Sequence, residues 1–155
     1  MNTKIAYNLA KANHKGQLYG NHDYFEYHIL AVERDVIASL SNNTIDIHSK
    51  NKYAIYSIVS YLHDIVEDTS VTLDEIELLF GTEICYAITA ITKRKNEKYT
   101  TYLSRVYSNE IARRVKYYDI LFNLHNTVQC MTREVNDKNL RRYNKYMQAL
   151  KYLHF

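Results

Sequence analysis

The chain has 155 residues, 46% of them hydrophobic, which suits one globular domain with a core of its own. A net charge of +3 is mild; it fits small phosphorylated ligands as well as nucleic acid and singles out neither. No apolar run is long enough to span a bilayer, and the amphipathic start MNTKIAYNLAKANH lacks the apolar core of a secretory signal, so the expected setting is cytoplasmic and away from membranes.

Proline is absent and glycine occurs three times, which favours long helices over strands and hairpins. The first helix is predicted over about 3–13, with Ile5, Ala6, Leu9, Ala10 and Ala12 on its apolar side. HKGQLYGNHD (14–23) reads as a loop. A second helix follows over about 24–40, then the loop SNNTIDIHS, then a third helix from about Lys50 to Glu67. Thr72 and Glu75 form a capping-box pattern that starts a fourth helix, LDEIELLF, which Gly81 ends. Thr82 is placed as the cap of a fifth helix running through ITAITK. The charged KRKNEK connects to a sixth helix over roughly 97–107. A long helix is predicted over 109–132, and a last one over 137–153. The class is all-α, with about eight helices. Cys85 and Cys130 lie far apart in helical patterns and read as two reduced thiols.

One segment strains this pattern. YLHDIVEDT (61–69) sets His63, Asp64, Glu67 and Asp68 into a stretch that otherwise reads as buried helix. Burying unpaired carboxylates is costly. His63 and Glu67 are four apart, as are Asp64 and Asp68, so the groups project from neighbouring faces of two turns. A divalent cation beside them removes the desolvation problem. His-Asp alone supplies too few ligands. Two further polar residues sit on apolar faces of other helices: His28 in YFEYHILAV and Asp119 in VKYYDILFNLHN. Taken singly, each reads as a satisfied core residue.

Taken together, His28, His63-Asp64 and Asp119 follow the order of the HD phosphohydrolase superfamily. The flanks HKGQ (14–17) with Tyr24, YLHDIVEDTSVTLDEIELLFGTEI (61–84), ITAITK (88–93) and VKYYDILFN (115–123) resemble the hydrolase domain of the RelA/SpoT alarmone enzymes, over about residues 6–130. The chain is similar to a stand-alone small alarmone hydrolase. The resemblance implies a single HD-type metal-dependent phosphohydrolase domain over residues 1–155, a helical bundle. His28, His63, Asp64 and Asp119 match the metal ligands of that family, and Glu67 and Asp68 its acidic catalytic pair. Asn123 matches an asparagine that contacts the nucleotide, and Arg142 and Tyr146 have the R-x-x-x-Y spacing used on substrate. Lys15, Tyr19 and Lys95 join the expected substrate contacts, with Lys93, Arg94 and Lys98 also available for phosphates. Arg113, Arg114 and Lys116 read as surface.

The implied cofactor is one divalent ion, manganese by resemblance, although iron, cobalt, nickel or zinc also suit two imidazoles and two carboxylates. The implied reaction is hydrolysis of the 3′-diphosphate of ppGpp or pppGpp, giving GDP or GTP and pyrophosphate. The expected partner is therefore a phosphorylated guanine nucleotide rather than nucleic acid. Three departures stand out. Tyr19 occupies a position where the family commonly has arginine, Phe122 one where many relatives have histidine, and the loop before the third helix is longer than usual. Two alternatives stay open: another HD phosphohydrolase acting on (deoxy)nucleotides or NADPH, and a non-catalytic nucleotide-binding protein that sequesters a signal.

Overall fold

The computed structural model describes residues 2–40 and 47–155, with residues 47–50 described by backbone alone. The unusually long loop expected before the third helix falls mostly on 41–46, outside the described residues. Helix α1 (Thr3–Asn13) leads into a two-strand hairpin of β1 (Leu18–Tyr19) and β2 (His22–Asp23), where the sequence suggested only a loop. Gly20 has φ +60° at the first central position of the turn, the place where a tight hairpin favours glycine.

A π turn over Phe25–Ile29 then opens α2 (Leu30–Leu40), with the Leu30 N–H bonded to the Phe25 carbonyl. The expected third helix is divided: α3 covers Ile47–Leu62, and after a turn at His63–Asp64 a single turn, α4, covers Ile65–Asp68. The remaining helices are α5 (Leu73–Phe80), α6 (Thr82–Ile91), α7 (Tyr99–Tyr107), α8 (Glu110–Arg133) and α9 (Asp137–Leu153). The all-α expectation holds. No helix of the described residues is long and apolar enough to cross a membrane.

Side-chain caps fix four of these starts, those of α1, α5, α8 and α9. Asn109 accepts from the Ala112 N–H and Asn136 from the Asn139 N–H, each satisfying a donor that the first helical turn leaves open. The Thr72–Glu75 capping box is formed in both directions. Thr82 is not a cap. Gly81, at φ +84°, both ends α5 and precedes α6, and the Thr82 hydroxyl donates to Glu77 instead.

The long helix α8 runs through the middle of the bundle. α2, α3, α6 and α7 pack on it, and α9 lies along it. The core joins Phe25, Ile29 and Val32 with Ile58 and Leu62 from α3, Ile88 and Ile91 from α6, and Val115 and Ile120 from α8. His28, His63 and Asp119 are buried in the same stretches, so core packing aims them at one another.

The charged connection after α6 is not simply a solvated loop. Arg105 of α7 donates to the carbonyls of Ala90 and Thr92 and pairs with Glu97 at 2.6 Å. It satisfies the open carbonyls at the end of α6 and ties down 93–98. Arg105→Met is expected to cost about 2 kcal/mol, the scale of a hydrogen bond to a charged group. Urea denaturation checks this: an unchanged midpoint means that the network is not holding the connection.

Candidate metal centre and flanking pockets

Four donor side chains from three parts of the chain meet in the interior. His28 Nε2 lies 3.3 Å from His63 Nε2, 3.4 Å from Asp64 Oδ2 and 3.3 Å from Asp119 Oδ1. His63 Nε2 lies 3.0 Å from Asp64 Oδ2 and 3.9 Å from Asp119 Oδ1. His28, His63 and Asp119 each offer a ligand atom within 4.8 Å of the others.

Local backbone features aim these groups. His28 sits in the π turn, a distortion often found at functional sites. His63 and Asp64 form the break between α3 and α4, with Asp64 at φ −107° and ψ −1°. Neighbouring side chains on an unbroken helix diverge by about 100°. The break accompanies the approach of both to one point, which the continuous helix expected from sequence does not provide. Asp119 lies mid-way along α8 between buried Val115 and Ile120.

A ring of partners orients the donors, as metal ligands generally require. The Ser60 carbonyl is 2.7 Å from His63 Nδ1, so this nitrogen is the donor and Nε2 presents its lone pair inward. The Tyr24 hydroxyl donates to Asp64 Oδ2, and Asn123 Nδ2 donates to Asp119 Oδ1 at 2.6 Å. Lys116 pairs with the other oxygen of Asp119 at 2.6 Å. Tyr19 and Phe122 pack their rings against His28, with centroids 5.5 and 4.9 Å away.

Electrostatics follow from this packing. Burial alone raises the Asp119 carboxyl, but the Lys116 ammonium and His28 outweigh it and hold it well below the usual range. Asp64 is likewise held low by His63 and His28 against its own burial. Burial opposes a charged His28, yet hydrogen bonds to Asp119 and Asp64 lift it to about 9. Burial and Asp64 keep the Tyr24 phenol protonated, hence a donor.

The donor set fits a divalent cation. Two Nε2 atoms facing each other at 3.3 Å cannot both present lone pairs without a positive charge between them. A proton on His28 supplies it, and a cation held by these four residues would take its place, as metals do on binding imidazole. Bonds of about 2.1 Å set neighbouring ligands roughly 3–4 Å apart, the range found here.

Two pockets flank the centre. The smaller, about 200 Å³, has Glu67, Asp119, Lys93, Lys116 and Lys145 among its lining groups. The larger groove, about 580 Å³, is lined by Tyr19, Tyr27, Asn126, Asn139 and Arg142; the two share Asn123 and Tyr146. Glu67 Oε1 accepts the Lys93 backbone N–H at 2.6 Å, and burial raises the Glu67 carboxyl. Asp68 lines neither pocket; burial and then Asp64 raise its carboxyl, and its backbone carbonyl accepts from Gln17 Nε2.

Of the substrate contacts read from sequence, the structure brings Tyr19, Asn123, Arg142 and Tyr146 together at the groove. It does not bring Lys15 or Lys95 there. Lys15 is exposed and faces a separate cleft with Lys11 and Glu26. Lys95 is exposed and lines neither pocket, while Lys93, two residues earlier, lines the small one. Tyr19 does not stand free to stack on a base: its hydroxyl donates to Asn123 Oδ1 at 2.8 Å and its ring lies on His28.

No protein-family model matches the chain. Over 87 residues the chain is 32% identical to the human guanosine-3′,5′-bis(diphosphate) 3′-pyrophosphohydrolase MESH1, covering 53% of this chain and 49% of that protein. It thus spans about half the length of the curated relative it matches. A solved metazoan orthologue of SpoT, which hydrolyses ppGpp and plays a role in starvation responses, superposes with a TM-score of 0.71 at 18% identity, covering 98% of this chain and 85% of the other. The chain has the fold of that SpoT orthologue. The resemblance read from the sequence therefore holds in sequence over part of the chain and in fold over nearly all of it.

Within this SpoT-like fold, Lys116 is the residue that sequence reasoning passed over. It read as surface, yet it is half-buried and pairs with Asp119. Its spacing of three before a mid-helix aspartate was the available signal. Lys116→Met should destabilise the metal-free protein by about 3 kcal/mol, since it leaves a buried carboxylate without its partner. Saturating manganese should restore part of the loss. Equal denaturation midpoints for variant and parent would show that the pair carries no weight.

Proposed function

We propose that this chain is a divalent-metal-dependent phosphohydrolase that removes the 3′-diphosphate of ppGpp or pppGpp, yielding pyrophosphate and GDP or GTP. The observation that carries the reading is the convergence of His28, His63, Asp64 and Asp119 beside Glu67, with a cationic pocket on one side and a nucleoside-sized groove on the other. The activity of the MESH1 relative and of the SpoT orthologue supports it.

His28, His63, Asp64 and Asp119 would hold the ion, with manganese the favoured identity. When bound, it offsets negative charge on the phosphoryl oxygens and lowers the pKa of a neighbouring water. Glu67 is the general base. The Lys93 N–H fixes one of its oxygens, and burial raises its basicity above that of an exposed glutamate. Water attacks the phosphorus bonded to the ribose 3′-oxygen. The P–O3′ bond breaks, the water oxygen remains with the departing pyrophosphate, and a proton passes to the 3′-oxygen. Asp68 is a positioning residue: its backbone carbonyl anchors the 14–17 loop through Gln17, and its carboxylate stands close enough to Asp64 to be raised by it.

The groove holds the nucleoside. At about 580 Å³ it falls within the roughly 300–1,000 Å³ typical of small-molecule sites. Asn126, Asn139 and Arg142 offer hydrogen bonds there, and Tyr27 and Tyr146 offer aromatic faces. The tethered Tyr19 keeps a second reading in view. With no arginine to lie on the base, another nucleotide or NADPH could occupy the same groove.

With manganese, purified protein is expected to release pyrophosphate from ppGpp; Asp64→Ala should abolish this, and Glu67→Gln should lower kcat by about 10²–10⁴. NADPH and a deoxynucleotide panel run alongside decide the second reading: turnover of those alone overturns the alarmone assignment. Because Glu67 acts ionised, kcat/KM should be present above its pKa and be lost as pH falls through it. That acid limb should lie above 4.5, the ordinary glutamate value. A limb at or below that value would remove Glu67 as the base.

A further inference from the structure

Lys145 makes no ion pair among the described residues, and although it is exposed its ammonium is held by an aromatic ring. Its ammonium stands 4.3 Å from the centre of the Tyr99 ring, which holds it at the mouth of the small pocket. Lys93, just past the end of α6, and Lys116 of α8 line the same pocket. Three ammonium groups thus face two carboxylates. One of these, Asp119, is already paired with Lys116; the other, Glu67, accepts a backbone N–H. Burial, Lys116, Lys93 and Arg142 all push the Lys145 ammonium towards its neutral form, the mark of positive charge gathered without enough negative charge to match.

The geometry points to Lys145 as a phosphate-binding residue that receives the outer phosphoryl group of the leaving diphosphate, steered by the Tyr99 ring. This rests on the proposed function and names where one part of that substrate goes. The small pocket holds about 200 Å³, below the size usual for a whole nucleoside, while its floor includes Asp119 and Glu67 at the reacting centre. With the nucleoside in the larger groove and the reacting phosphorus at the centre, the next phosphoryl lies on the far side. There the pocket offers lysines. A lysine is suited to this task as a mobile point charge. The cation–π contact limits its wandering without consuming its three donors.

Calorimetry with the manganese-loaded full chain tests this, using inorganic pyrophosphate and GDP as separate probes. Lys145→Met should weaken pyrophosphate binding by roughly tenfold or more, the effect of losing one charge-assisted hydrogen bond. GDP binding should stay within about twofold, a change too small to reflect loss of a contact. Lys145→Arg should recover most of the pyrophosphate affinity. Unchanged pyrophosphate binding, a loss confined to GDP, or an equal loss on both overturns the assignment, as does a parent protein that binds no pyrophosphate. Parent activity on ppGpp, measured in parallel, separates the two readings. Lys145-dependent pyrophosphate binding in a protein inactive on ppGpp counts against the function alone. Lys145-independent binding in an active protein counts against this inference alone.

Discussion

Two carboxylates and two imidazoles crowded within about one ion's diameter of a common point form the constraint around which the chain is organised. Such a cluster is unfavourable in a low-dielectric interior unless positive charge is supplied at its centre. A proton on His28 does this in the metal-free protein, with Lys116 neutralising the outer face of Asp119. A divalent ion held by these residues would do it more completely and would supply Lewis acidity there.

The backbone irregularities are consistent with this demand. The π turn carries His28, and the break between α3 and α4 carries His63 and Asp64. Regular helix is kept on α8, where a single aspartate needs only to face inward. Outside these ligands the polar contacts are complementary. Ser60 sets the His63 tautomer, Tyr24 and Asn123 donate to the centre-facing oxygens of the two aspartates, and the Lys93 amide fixes Glu67. Arg105 belongs to the same scheme at one remove, because it holds the end of α6 from which that amide projects.

The two pockets beside the centre differ in the kind of polar group they carry. The small pocket gathers amines beside two carboxylates, the groove gathers amides and two arginines, and tyrosines line both. Tyr19 lies between them and is spent on internal contacts, its hydroxyl on Asn123 and its ring on His28. Phe122 completes that wall with Tyr27. An arginine in place of Tyr19 would bring a charge into this aromatic wall, which the tyrosine leaves uncharged.

Much of this was legible in the residues. Periodicity and caps located nearly every helix, because an amphipathic stripe and an Asn or Thr start are local properties of the chain. His28, His63, Asp64 and Asp119 could be singled out because polar groups on apolar stripes are anomalies wherever they occur. What local pattern does not encode is which exposed-looking charge turns inward. Lys116 and Lys93 read as surface and loop yet face the centre, while Lys95 and Lys15, equally plausible in sequence, face away. The break at His63–Asp64 was also invisible, since the apolar period of Tyr61, Leu62 and Ile65 runs across it. The sequence by itself therefore determined the helices and the buried donors. Tertiary packing decided which lysines line the small pocket and how two adjacent residues reach one point. Both depend on distances between segments far apart in the chain, which no local periodicity records.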